Sequence, residues 1–126
     1  MYETETTARA AQGSASFERP IDLVHLARQT LGDRSLEQEI LSLYHKQAQT
    51  LLAGIEAAVC LRQRTDFAHM LKGSSRAVGA WQVASAAEAV EIAPPDAASE
   101  AQRAIAALRT CVGAACASIA ELQRPH

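Results

Sequence analysis

Residues 36–59 place apolar side chains at Leu36, Ile40, Leu43, Tyr44, Leu51, Ile55 and Val59, spacings that a helix gathers onto one face and a strand scatters. Ser35 opens the segment as S-L-E-Q, a capping-box pattern with Gln38 in the reciprocal position, so a long helix is expected to begin there. Its end is less sharply marked. "CLRQRT" holds neither Gly nor Pro, and the break is expected near residues 60–64.

The remainder of the chain keeps the helical period. After Pro20, Asp22 can cap a short helix through about Leu31, with Leu23, Leu26 and Ala27 on its apolar side and Gly32-Asp33 at its end. The helix after the break should stop at Gly79, a natural left-handed terminator. A further helix runs from Ala80 to about Ile92, with Val83, Ala87 and Val90 inward, and Pro94-Pro95 closes it. Asp96 or Ser99 can cap a last helix carrying Ile105, Leu108, Val112 and Ile119 to about residue 122. No strand pattern appears. The expected fold is all-α, an antiparallel four-helix bundle with a short additional N-terminal helix. Residues 1–19 have no sustained period and read as a flexible N-terminal tail, and residues 20–126 as a single domain.

Composition supports this and narrows the function. Of the residues 48% are apolar but only 4% aromatic, a core of small aliphatic groups that suits closely packed helices better than a β-sandwich. A net charge of −2 argues against a nucleic-acid partner. No apolar run approaches the ~20 residues of a bilayer span, and no basic region leads into an apolar one near Met1. A cytoplasmic protein without a membrane partner is expected. Cys60, Cys111 and Cys116 read as small buried apolar residues in a reducing compartment. The histidines at 25, 45, 69 and 126 show no Glu-x-x-His or His-x-x-x-His spacing, so no metal site is expected.

One stretch, "AHMLKGSSRAVGA" at residues 68–80, is unlike an ordinary bundle helix. Gly73 costs roughly 1 kcal/mol relative to alanine inside a helix. On a 100° wheel Phe67, Leu71, Ser74 and Val78, flanked by Met70 and Ala77, form the expected buried stripe. His69 projects to the other side among Thr65, Lys72, Gly73 and Arg76. The imidazole is thus expected on an exposed basic face beside a position without a side chain, where another protein's backbone could approach. If Gly79-Ala80 is the turn of a helical hairpin, His69 and Glu91 each lie eleven residues from Ala80, about 16 Å along the two axes at ~1.5 Å per residue. A carboxylate at that height can accept from Nδ1–H and leave Nε2 free as a nucleophile. The same residues also fit an ordinary solvated face, with Glu91 a plain surface glutamate.

"H-M-L-K-G-S-S" followed by "V-G-A" resembles the histidine-containing phosphotransfer (HPt) domain, whose pattern is His-x-Leu-Lys-Gly-Ser/Ala-Ser/Ala with Gly ten residues after the histidine. "IDLVHLARQTLGD" and the long helix after it are also similar to that family's opening, so the resemblance covers about residues 20–122. It implies that His69 is phosphorylated at Nε2, that Lys72 assists with phosphate charge, and that Gly73 keeps access open. It also implies that Glu91, at the position often held by Gln or Glu, bonds to Nδ1. With Glu there, the chain looks more like the phosphotransfer domains of chemotaxis kinases than like the yeast-type carriers.

The expected function is a monomeric phosphorelay carrier that accepts a phosphoryl group from a receiver-domain aspartyl phosphate and passes it to another response regulator. Its partners would be receiver domains, a hybrid histidine kinase among their sources. Mg²⁺ would come from the partner receiver rather than from this chain. The exposed face around Thr65, Gly73, Arg76 and Ala80 would dock the receiver. Two rivals stand beside this. The dimerisation part of a histidine kinase usually has an acidic residue after its histidine, where this chain has Met70. A non-catalytic helical adaptor that binds and sequesters a receiver or regulator would use the same face.

Overall fold

A computed structural model describes residues 19–125. The tail expected over residues 1–19 lies outside the described residues apart from Arg19. Among the described residues five helices follow one another: α1 (Leu23–Thr30), α2 (Arg34–Ala57), α3 (Leu61–Val78), α4 (Trp81–Ile92) and α5 (Ala98–Leu122). There is no strand among the described residues. Helix α2 touches α3 and α5, α4 touches α3 and α5, and the diagonal pairs do not meet, so α2–α5 form a four-membered ring. Cross-links fix the directions. Tyr44 meets Ser75 while Gly54 lies against Phe67, so α2 and α3 are antiparallel. Gln123 bonds to Gln38 and Ser42 while Arg109 pairs with Glu56, so α2 and α5 are antiparallel too. This is the expected bundle.

Helix α1 closes one end of the bundle, and Asp22 is the residue that fastens it. Its carboxylate caps α1 by accepting from His25 N at 3.1 Å, and its other oxygen accepts from Trp81 Nε1 at 2.9 Å. Its backbone N–H donates to Gly79 O at 2.9 Å. Gly79 has φ +82°, and a Cβ there would come within 3.0 Å of Asp22 Cβ, so glycine is required both for the turn and for the close approach of α1.

Several sequence expectations shift by a residue or two, each with a local cause. Helix α2 is capped by Asp33, whose side chain accepts from Leu36 N, two residues ahead of the Ser35 capping box. The break after α2 falls at residues 58–60, where the Gln63 side chain accepts from Val59 N and marks the new start without Gly or Pro. Helix α5 is capped by the backbone around Ala97, with no side-chain bond from Asp96 or Ser99. Helix α1 buries Leu26 and Thr30 rather than Leu23 and Ala27, because it lies across the bundle end and Thr30 turns its hydroxyl to Leu26 O and Glu37. In α2 the buried stripe is Leu41, Tyr44, Ala48, Leu51 and Ile55, while Leu43 is exposed and Val59 lies beyond the helix. Small Ala48 lets α2 approach its neighbours on a face that a scan for large apolar residues passes over. Cys60 is exposed at the α2–α3 junction, against the expectation of burial, whereas Cys111 and Cys116 are partly buried and burial raises their thiol pKa. Helix α5 also meets the length and composition of a membrane span, with an 18-residue window of mean hydropathy 1.5 that no single apolar run reveals. Alanine and cysteine raise that mean, and the helix still buries Leu108, Val112, Ala115 and Ile119 as one bundle stripe.

Helix α3 is rotated from the expected stripe in the same way. Ala68, Leu71, Ser75 and Val78 are buried, Ser74 is only partly so, and Met70 and Ala77 are exposed. Ser75 can take a core position because its hydroxyl bonds to the buried Tyr44 hydroxyl at 2.6 Å. Burial pushes the Tyr44 phenol up to about 12 from its ordinary 10.0. Tyr44→Phe should therefore cost roughly 1–2 kcal/mol at neutral pH by leaving the Ser75 hydroxyl without this partner. Above pH 10 the unfolded chain releases its phenolic proton while the folded protein holds it until about 12, so stability declines across that window. Denaturation of the two proteins from pH 7 to 12 should show the gap between them narrowing above pH 10. A constant gap would mean that Tyr44 is not held protonated by the fold.

Candidate active site on α3 and α4

The α3–α4 hairpin carries the site. Its turn is set by Gly79, whose N–H returns to Arg76 O while Ala80 N donates to Ser75 O. With the turn at Gly79-Ala80 and both helices regular, residues equally distant from it meet across the interface, and His69 meets Glu91. His69 Nδ1 lies 2.7 Å from Glu91 Oε2. The imidazole side chain is 67% exposed, whereas Glu91 is 18% exposed. A carboxylate is an acceptor, so neutral His69 carries its proton on Nδ1 and turns a bare Nε2 away from α4.

Lys72 completes the inner part of the site. Its Nζ lies 2.8 Å from Glu91 Oε1, and the side chain is only 15% exposed. Glu91 thus serves two partners, one on each oxygen, and Oε1 is sealed from solvent. The Lys72 ammonium holds the Glu91 carboxyl below its ordinary 4.5, the His69 bond adds to this, and partial burial opposes it. Glu91 is consequently a carboxylate at neutral pH. Further down the hairpin Glu88 Oε1 lies 3.5 Å from Arg76 and 3.8 Å from Lys72. The face expected to be basic is therefore neutralised by α4. Glu88 had no role assigned from the sequence, and its signal was the i, i+3 pair of carboxylates at 88 and 91, level by the same count with Lys72 and His69.

The other expected site residues divide. A Cβ on Gly73 would meet nothing within 4 Å, so the space beside His69 is open. Arg76 is exposed on the same side, and Thr65 is partly buried one turn before His69. Ala80 is a correction. Expected on the docking face, it is 0% exposed, because the residue after the left-handed Gly79 turns inward beneath α1 and joins the core. Among the described residues no group of His, Cys, Asp and Glu is arranged to hold a metal ion.

A family model described as the Hpt domain matches residues 39–118, more than half of the chain and the whole of α3 and α4. The chain belongs to the Hpt domain family. Searches of curated proteins and of solved structures each find no match. The matched segment of this Hpt domain holds His69, Lys72, Gly73, Arg76, Glu88 and Glu91 together, while α1 lies before it. Membership implies phosphotransfer in a two-component phosphorelay, with receiver domains and histidine kinases as the interacting classes.

Proposed function

We propose that this Hpt domain is a phosphorelay carrier that takes a phosphoryl group onto His69 from a receiver-domain aspartyl phosphate and passes it to another response regulator. The observation that carries the reading is the exposed imidazole bonded at Nδ1 to a carboxylate 2.7 Å away. The Nε2 lone pair attacks phosphorus, the bond to the aspartyl oxygen breaks, and the aspartate leaves with the electron pair. No proton moves on the attacking atom. The proton stays on Nδ1 and is donated to Glu91, whose charge offsets the positive charge that the ring acquires. Such a transfer needs positioning and charge neutralisation more than acid–base chemistry. Mg²⁺ for it would be supplied by the receiver's acidic pocket. The receiver would approach over Gly73, and the protein would act as a cytoplasmic monomer.

Incubation with a receiver domain charged by acetyl phosphate and Mg²⁺ tests this directly: acid-labile, alkali-stable label should appear on His69. Binding without label would favour the sequestering adaptor. A second test addresses Glu91. Glu91→Gln keeps an acceptor oxygen and should preserve the Nδ1–H tautomer, whereas Glu91→Ala should lose it and slow transfer roughly 10-fold, the low end for a group that orients an imidazole. Ring ¹⁵N shifts of His69 in the three proteins report the tautomer. Identical populations throughout would remove Glu91 from the mechanism.

A further inference from the structure

We propose that Arg76 is the cation that meets the phosphoryl group on His69, and that Glu88 holds Arg76 in reserve until that group arrives. The proposal rests on the phosphocarrier reading above and assigns Lys72 a different task from Arg76.

Lys72 is already committed. Its ammonium lies 2.8 Å from Glu91 Oε1, an oxygen sealed from solvent, so moving Lys72 away would leave that carboxylate oxygen buried and bare. Lys72 therefore works through Glu91, on the Nδ1 side of the ring, as a positioning residue. The phosphoryl group forms on Nε2, on the other side.

Arg76 is differently placed. Its side chain is 56% exposed and its only ion pair among the described residues, with Glu88, is 3.5 Å long and itself 48% exposed on the Glu88 side, a contact that solvent screens and that exchanges readily. Arg76 follows His69 by two turns, about 10 Å along the axis, and side chains on a helix lean back toward its N-terminus. The path between them crosses Gly73, where nothing lies within 4 Å of a Cβ position. A guanidinium presents two parallel N–H donors to phosphate oxygens, which a carboxylate 3.5 Å away does not exploit. When Arg76 leaves, Glu88 keeps Lys72 at 3.8 Å and is not stranded. Arg62 and Asp66, the remaining charged groups of α3 on this face, are exposed and pair with each other at 4.0 Å, and Arg62 lies two turns N-terminal to His69, where its side chain leans away from the ring. The open position at Gly73 thus serves the protein's own arginine as well as the incoming partner.

The test loads His69 with phosphoramidate, a small donor that needs no docking surface. The Nε2–P bond forms as the donor's P–N bond breaks, and the departing nitrogen leaves as ammonia. Loading should shift the Nε–Hε resonance of Arg76 in the intact protein. Followed by ³¹P NMR, the second ionisation of the bound phosphoryl group should rise by roughly half a pH unit in Arg76→Gln, with partial recovery in Arg76→Lys. Glu88→Gln, which releases Arg76, should leave that ionisation at or below its value in the unaltered protein. A purely structural role for Arg76 would not move a phosphoryl titration. If His69 takes up phosphoryl and Arg76→Gln titrates like the unaltered protein, this proposal falls and the carrier reading stands. If His69 takes up none, both fall.

Discussion

His69→Gln removes all phosphoryl acceptance and leaves the helical content of the protein unchanged. The fold does not depend on the imidazole, which is 67% exposed and touches the rest of the protein through Glu91. Glutamine can still donate an N–H toward that carboxylate, and Lys72 continues to hold its other oxygen. The stability change should stay within about 0.5 kcal/mol, as for other surface substitutions. The remaining described histidines are poor substitutes. His25 has its Nε2 on Ala77 O at 3.2 Å and its ring edge-on to Trp81, and His45 is partly buried on α2, where no carboxylate among the described residues bonds to its ring. Label that survives in the variant on either residue would overturn the assignment of His69. Circular dichroism of the variant guards against loss of label through unfolding.

Gly73→Gln folds but no longer exchanges phosphoryl with a receiver at a useful rate. Because nothing lies within 4 Å of a Cβ at this position, alanine is accommodated without a clash and should stabilise the helix by up to about 1 kcal/mol. Glutamine is tolerated by the fold for the same reason, but its side chain stands in the space that a partner's backbone must enter. A displacement of about 1 Å at the reacting atoms can cost roughly 100-fold, so transfer from a phosphorylated receiver should drop on that order. Loading by phosphoramidate should fall much less, since a small donor does not dock on the helix face. Equal rates with the receiver for the parent and the glutamine variant would show that Gly73 is not kept for access.

The site was more legible in the sequence than the core was. Two features made it so. Gly73 is a locally unfavourable choice on an otherwise regular helix, and Gly79 fixes a turn from which heights on α3 and α4 can be counted to His69 and Glu91. The core was harder because alanine does much of the packing. Ala48, Ala68, Ala84, Ala87 and Ala115 are buried, and a wheel weighted toward Leu, Ile and Phe places Tyr44, Leu51, Ile55, Leu71 and Val78 correctly but takes Leu43 and Phe67 for inward positions and passes over Leu41, Ala48 and Ala68. Ser75 went unnoticed as a core residue for the same reason, since only the Tyr44 hydroxyl on a different helix makes its burial tolerable.

The sequence was enough for the all-α class, the helices of the described residues and the position of the His-x-x-Lys-Gly segment, because periodicity, capping residues and the Gly79 and Pro94-Pro95 stops act locally along the chain. It did not determine the electrical character of the face around His69. Lys72 and Arg76 read as free cations in sequence, and only the packing of α4 brings Glu88 and Glu91 to within 4 Å of them. Nor did it fix Ala80, which follows an exposed-looking turn yet lies wholly inside because α1 folds over that end of the bundle through Asp22. Charge pairing and end-capping both join residues far apart in the chain. They depend on the rotation of each helix about its axis, which small side chains specify only when all the neighbouring helices are in place.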